Sequence, residues 1–333
     1  MEGPEYEAEE ADISWPLAIF AAILLTLLYA LGAYAMFHHA MDAGGGLLTL
    51  GFLVGMPIGA GSLAVLIADW KGRASAGRHA GLGFLISAIM LFTGFAMLGE
   101  GGVCIVLAAP LFIPLAMLAA TATGALLRGR NNRIRASALP LVPLLLVQLD
   151  IWGAYPVSNE VVSDRIDIDA PPAMVWVQLT EVRDIRSDEL SWTFTQDLAG
   201  VPKPVDARLE GRGVGAVRHV RWGGGIHFQE IVTRWEEERA LAWRFRFSSD
   251  SIPDEVESHV RVDSAYLQVS GGEYRLEPLP GGRTRLHLTT RYRLATPLNF
   301  YCAWWGRVMI GDFHQNVLNV VRRRAERANG RTT

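Results

Sequence analysis

RTRLHLTTRYRL, residues 283–294, decides the fold of the C-terminal half of this chain. Leu286, Leu288, Thr290, Tyr292 and Leu294 alternate with Arg285, His287, Thr289, Arg291 and Arg293. A period of two is that of a β-strand, and it gives this strand one apolar and one basic face. Thr296-Pro297 ends it, since proline has no amide to give to a ladder. A helical pattern then runs from about Leu298 to about Ala328. Met309/Ile310, Phe313, Val317 and Val320/Val321 recur at spacings of three and four and form one apolar stripe. Arg322, Arg323, Arg324 and Arg327 stand in its last turns, where cations suit the helix dipole. A half-buried strand leading into a long amphipathic helix implies a helix laid across the apolar face of a sheet.

Upstream, strand signals follow in quick succession. Residues 215–222 and 226–235 flank Gly223-Gly224-Gly225, a tight hairpin connection. In 240–247, Leu241, Trp243, Phe245 and Phe247 share one face, and Ala242, Arg244 and Arg246 the other. Strands at 265–269 and 273–279 come next, and Pro280-Gly281-Gly282 turns the chain into the final strand. Earlier still, 161–168 reads as a strand and 173–180 as a helix, with Asp169 as its cap and Pro171-Pro172 in its first turn. Residues 182–192 are polar and read as a short helix and loop. Consecutive hairpins require an antiparallel sheet, and helices at both ends of the strand run make the class α+β. The apolar faces carry Phe228, Trp243, Phe245, Phe247, Tyr274 and Tyr292. A curved sheet wrapped about one helix would enclose either a filled core or a cavity with that lining.

The N-terminal half obeys different physics. The 333 residues are 50% hydrophobic and 20% charged overall, but those figures average two regimes. Residues 1–14 form an acidic tail, too polar to fold alone and lacking the basic start of a signal peptide. Residues 15–37, 47–68, 80–98 and 102–127 are each long and apolar enough to cross a bilayer core of ~30 Å. A fifth run, 136–151, is shorter and carries Pro140, Pro143, Gln148 and Asp150. It either crosses, ending on the aromatic anchor Trp152–Tyr155, or lies re-entrant; crossing is the reading favoured here. Lys71, Arg73 and Arg78 occupy one connection, and four arginines occupy 128–135, whereas 39–46 and 99–102 have no Lys or Arg. By the positive-inside rule the two basic loops and the N-terminus are cytoplasmic, and five crossings put the C-terminal domain outside. No span has a charge near its middle, which argues against a proton pump or ion channel. Asp69, Glu100 and Asp150 border interfaces and read as solvated, as do His38, His39 and Asp42 beside a less favoured metal or proton site. The expected organisation is thus a tail (1–14), a transmembrane region (15–156) and a folded domain (157–330).

The phrase IDAPPAMVW, residues 168–176, resembles the opening of the START/polyketide-cyclase/birch-allergen (SRPBCC) superfamily, with its strand, "AP" step and helix bearing V-W. GVGAVR (213–218), FQEIVTRW (228–235), YRLEPLPGGRTRL (274–286) and the terminal helix are similar to membrane-anchored bacterial members. The likeness covers about residues 157–328. It implies a helix-grip fold, a curved antiparallel sheet around a long C-terminal helix, with a pocket for lipids, polyketides or other hydrophobic small molecules. One fold hosts many functions, so it does not name the ligand.

On that frame Phe228, Trp243, Phe245, Tyr274, Tyr292 and Phe313 are the candidate pocket walls. Glu230 shares the face of Phe228 and Val232; a carboxylate among aromatics would have a raised pKa and could orient a ligand hydroxyl, or else it pairs with an arginine. His314, at the margin of the helix's stripe, either bonds a ligand or packs. Arg244, Arg246, Arg275, Arg285, Arg291 and Arg293 form an outer basic face, resting on anionic headgroups or paired with Glu273 and Glu277. The aromatic run 300–307 either dips toward a membrane, gates the pocket or packs inside. His219, His227 and His259 follow no metal spacing, Cys104 and Cys302 give no disulfide or metal pattern, and no cofactor motif is present. Residues 157–333 hold 24 Lys+Arg and 24 Asp+Glu, a balance that argues against nucleic acid. The expectation is a membrane-anchored binder of a hydrophobic, lipid-like molecule. A cyclase/dehydratase-like enzyme using Glu230, and a sensor or scaffold with a filled core, are the alternatives.

Overall fold

The computed structural model describes residues 14–40, 48–98, 101–129, 132–152, 154–253, 256 and 262–330. The contacts divide the chain into two compact units, one holding residues 50–93 and 108–152 and the other most of residues 153–333.

The first unit is helical: α1 (Trp15–Ala40), α2 (Met56–Ala68) preceded by a π-helical turn (Gly51–Gly55), α3 (Ala76–Met97), α4 (Gly102–Arg128), α5 (Arg133–Ala138) and α6 (Val142–Trp152). Five helical stretches are long and apolar enough to cross a membrane: Trp15–Phe37, Gly51–Ala68, Ala76–Met97, Gly102–Arg128 and Arg133–Ile151. The fifth joins α5 to α6 through a 3-10 turn at Leu139–Leu141, so the prolines there bend the path without breaking it. Gly61 of α2 and Gly83 of α3 both lie against the backbone of Ala116, where a Cβ would collide. Small residues let helices approach closely where lipid offers no hydrophobic drive between them.

Two acidic residues of this unit are not solvated as expected. Asp150 is buried and accepts from the amides of Leu50 and Gly51 at 2.9 Å each. Asp69 is buried and accepts from the amides of Arg73 (3.0 Å) and Ala74 (2.7 Å), with His79 Nε2 2.9 Å away. Both cap places where the helical ladder is interrupted, so they replace lost backbone partners. The side chains of His38 and His39, together with Asp42 and Glu100, lie outside the described residues.

The second unit is one seven-stranded sheet: β1 (Ser158–Ile168), β2 (Pro204–Glu210), β3 (Val217–Trp222), β4 (His227–Glu236), β5 (Ala240–Arg246), β6 (Leu267–Leu279) and β7 (Arg283–Leu294), in the order β1-β7-β6-β5-β4-β3-β2. Every neighbouring pair is antiparallel. Helix α7 (Pro172–Thr180) follows β1, and α8 (Asn299–Ala328) closes the chain. The register of 283–294 is the expected one: Leu286, Leu288, Tyr292 and Leu294 are buried. Each such side chain contributes roughly 1.5–3 kcal/mol on burial. Leu318, Val321 and Ala325 of α8 meet Leu286, Leu288, Trp176 and Leu241 in a single core. Trp176, from the V-W step, stands edge-on to Trp235 at 5.3 Å. A curved antiparallel sheet gripping one long helix is the helix-grip fold, and the resemblance drawn from the A-P-P step holds at that level.

Three local expectations differ. β2 adds an edge strand in 204–210, masked in the sequence by Pro202, Pro204 and alternating charge. The two strands expected at 265–269 and 273–279 are one, β6, with a bulge between Val269 and Gly271. Pro171, not Asp169, is the N-cap of α7; the Asp169 amide instead donates to Glu326 at 3.1 Å.

Candidate functional site

Between α8 and the concave face of the sheet lies a cavity of about 330 Å³. Seven of the eight candidate site residues line it: Phe228, Glu230, Trp243, Phe245, Tyr274, Phe313 and His314. Trp243 and Phe245 do meet, at 6.2 Å between ring centres, but Phe313 turns instead onto Trp222 at 4.9 Å. Space therefore remains where a filled core was one expectation. Tyr292 is placed elsewhere. It is buried with Val162 and Leu294 in a satellite cluster, and its hydroxyl donates to the Ala303 carbonyl at 3.3 Å. It shares a face with Leu288 and Thr290, but its ring packs against Gly306 of α8 and is taken up by the helix rather than by the cavity wall.

The cavity floor is polar. Glu230 on β4 stands directly opposite Arg218 on β3, and the two side chains form a buried ion pair. Arg218 Nη1 also donates to the Leu179 carbonyl at 2.7 Å. Its guanidinium lies over the rings of Trp243 (4.8 Å) and Tyr274 (5.5 Å). Burial pushes the Glu230 carboxyl above its ordinary range, and the adjoining Arg218 charge opposes that shift. Burial likewise raises the Tyr274 phenol to about 12. Sequence reasoning offered an arginine partner for Glu230 without naming it. The signal was present: Ala216, Arg218, Val220 and Trp222 share one strand face, and Arg218 and Glu230 stand equally far on either side of Gly224. Gly224 and Gly225 have φ of 64° and 83°, a turn that glycine makes without strain and that fixes this register.

A second polar group faces the cavity from the other side. His314 is 3% exposed. Its Nε2 lies 2.8 Å from Thr290 Oγ1 and its Nδ1 lies 2.7 Å from Asp164 Oδ2. Asp164, on β1, is 43% exposed and reaches solvent. His314 thus ties α8 to β7 and β1 while facing the cavity with Thr290.

On the outer face of the sheet, two of the six arginines, Arg285 and Arg291, pair with carboxylates. Arg291 and Arg234 both bond Glu273 at 3.1 Å, Arg285 bonds Asp167 at 2.7 Å and His287 approaches Glu277 at 3.3 Å. In the 300–307 run, Trp305 is buried and stacks on Phe194 at 6.0 Å, whereas Phe300 and Trp304 are exposed. Among the described residues no three His, Cys, Asp or Glu side chains group as metal ligands; His259 lies outside them.

No protein-family model matches the sequence, and no curated protein matches it. Solved structures do resemble it over about half its length. An aromatase/cyclase, ZhuI, from Streptomyces sp. R1128 is 19% identical, over 52% of this chain and 96% of that one, with a TM-score of 0.33. A norcoclaurine synthase point mutant from Thalictrum flavum is 11% identical, over 52% of this chain and 98% of that one (TM-score 0.34). Ara h 8.0201 is 13% identical, over 49% and 98% (TM-score 0.30).

Proposed function

We propose that the sheet unit is a carrier domain, which binds a hydrophobic, lipid-like small molecule between α8 and the sheet and presents or transfers it at the membrane that the apolar helices span. The observation that carries this reading is the cavity of about 330 Å³ with its aromatic wall of Phe228, Trp243, Phe245 and Phe313. A ligand pocket of this kind is concave, mostly apolar and furnished with a few polar groups that fix orientation. Here those groups are Arg218, Glu230, Tyr274, Thr290 and His314. Tethering holds the pocket where such a ligand partitions and so raises its effective concentration without adding a contact. The basic connections at 71–78 and 128–135 favour a cytoplasmic N-terminus, and a reading with five crossings carries with it a domain on the outer side.

The test is to purify the full chain beside a cavity-filling variant, Val317→Trp, and analyse organic extracts of both by mass spectrometry. A stoichiometric hydrophobic molecule that accompanies the first and is lost from the second supports the carrier. Two equally clean extracts from folded proteins remove it. A second reading, a cyclase-like catalyst, draws on Glu230, whose carboxyl burial raises. Glu230→Gln separates the two: binding persists in a carrier, and turnover collapses in an enzyme.

A further inference from the structure

Leu198, Phe300 and Trp304 are large apolar side chains left in the open, 64%, 76% and 56% exposed. Single apolar residues on a surface are ordinary, but several at one end of a unit call for a cover. Phe300 and Trp304 stand one turn apart on α8, and the exposed Arg307 continues their face.

Three contacts fix what lies beside this end. The unit that holds the sheet also takes in residues 94–107, which include the first turn of α4. Tyr301 donates its hydroxyl to the Leu107 carbonyl at 2.6 Å. The Ala199 carbonyl, next to Leu198, lies against Gly102, the first residue of α4, where a Cβ would collide with it. Asn299 Nδ2 donates at 2.6 Å to the carbonyl of Pro156, shortly after α6 ends at Trp152. In a chain of five crossings the start of α4 and the end of α6 face the same side. The first turn of α8 is bonded at both.

Helix geometry sets the depth. α4 has 27 residues, about 40 Å of helix against a hydrocarbon core of ~30 Å. Centred, it leaves about 5 Å beyond the core at each end, and Leu107 lies about 8 Å from its start. Tyr301 therefore bonds α4 close to the boundary between headgroups and acyl chains. Around α8, Trp304 projects about 60° and Phe300 about 100° from Tyr301, both to the same side. Their face thus runs beside the one that meets α4. Aromatic rings suit the interfacial layer, and an arginine following them can extend to the headgroups.

We propose that Leu198, Phe300 and Trp304 form an interfacial anchor, which seats the amino end of α8 in the headgroup layer of the bilayer that the chain's own helices cross. Gly102 and Val103, at the same end, line the cavity, so the anchor holds the pocket at the layer where a lipid-like ligand resides. The anchor rests on the reading of the apolar helices as membrane spans.

The test uses the full chain in vesicles of phosphatidylcholine and phosphatidylglycerol, carrying Cys104→Ser, Cys302→Ser and one spin label at a single new cysteine. Phe92→Cys, on the exposed side of α3, reports whether the apolar helices lie in the bilayer. Glu237→Cys, between β4 and β5, reports water. Phe300→Cys and Trp304→Cys report the anchor. Oxygen concentrates in a bilayer and a nickel chelate in water, so their relative collision rates read depth. Oxygen is expected to outweigh the chelate at positions 300 and 304, as at 92, and the order is expected to reverse at 237. A water-like response at 300 and 304 beside a bilayer-like one at 92 overturns the anchor and leaves the spans standing. Shielding from both reagents also overturns it, because a protein partner or a second copy then covers the face. A water-like response at 92 removes the spans and the anchor together. Should the labelled chains not fold, the unlabelled one decides. The emission that Trp304→Phe removes is expected to fall several-fold when the lipid is brominated, and equal emission in both lipids overturns the anchor.

Discussion

A carboxylate buried in the helical unit and one buried in the sheet unit keep different company. Asp150 is held by two backbone amides, and Asp69 by two amides and an imidazole. On the strands, Glu230 and Asp206 are held by guanidinium groups, from Arg218 and from Arg221, whereas Glu189, in the turn Ser187–Glu189, is held by Arg324 and Arg327 together with the amide of Arg186. The difference follows from what each architecture leaves unpaired. A helix that starts, stops or kinks exposes amides, and a carboxylate satisfies them without importing a second charge. A sheet pairs its own backbone, so a buried acid on a strand has only side chains to turn to, and arginine offers the most donors.

The largest effect that tests this contrast is expected at Arg218. Arg218→Met strands Glu230 in an apolar cavity and should cost about 3–5 kcal/mol, read by chemical denaturation of the full chain. The double substitution Arg218→Met/Glu230→Leu should recover most of that loss. A double variant as unstable as the single one would mean that packing, not charge, holds this pair. Next comes Asp150→Ala, which leaves two amides unpaired at about 1–3 kcal/mol each. Asp150→Asn keeps an acceptor and should cost visibly less, so equal losses would show that the negative charge itself is needed.

Acid separates the two solutions further. Hydrogen bonds from Arg324, opposed by burial, hold the Glu189 carboxyl at about 2, against 4.5 for the free group. A depressed carboxylate lends stability that is complete above its unfolded pKa. That stability should be intact above pH 4.5 and disappear as pH falls toward about 2. A Glu189→Gln protein, lacking the titration, should show a flatter melting-temperature profile across this window; parallel profiles would assign acid sensitivity elsewhere. The smallest effect is expected at Glu273, on the outer face, where Glu273→Ala releases Arg234 and Arg291 into solvent. Exposed pairs contribute about 0–1 kcal/mol, and a larger loss would mark that face as more than a solvated one.

Most of the fold was legible because periodicity reports which face is buried. The alternation in 283–294 named its own core residues, the stripe in α8 named Val320 and Val321 but not the buried Leu318 and Ala325, and the A-P-P step with Trp176 placed the first helix. The apolar runs were equally plain, down to a fifth that the structure shows as helical through its prolines. What the sequence hid was pairing at a distance. Asp150 looked solvated because nothing local announces that Leu50 and Gly51 need acceptors. His314 could be set at the margin of a stripe, but Asp164 and Thr290 come from strands far from it in the chain. Tyr292 shared a face with cavity residues yet packs against Gly306 of α8, because strand periodicity gives the side of a sheet and not the partner that a side chain meets there. Arg218 was the one omission with a local signal, a lone cation in the apolar register of β3.

The pairing of β1 with β7 also sets a schedule. Ser158 is matched with Leu294, so the first strand of the sheet waits for the last one before its ladder can form. Contacts between residues so remote in sequence slow folding, because the intervening chain must be ordered before they are rewarded. During synthesis the apolar helices precede β1, and local helical contacts form early. The sheet domain is therefore completed only when β7 and α8 have emerged, and until then its aromatic strands are exposed to misassembly. A chain cut short before residue 283 would lack both partners of β1 and would be a substrate for quality control rather than a smaller version of the domain.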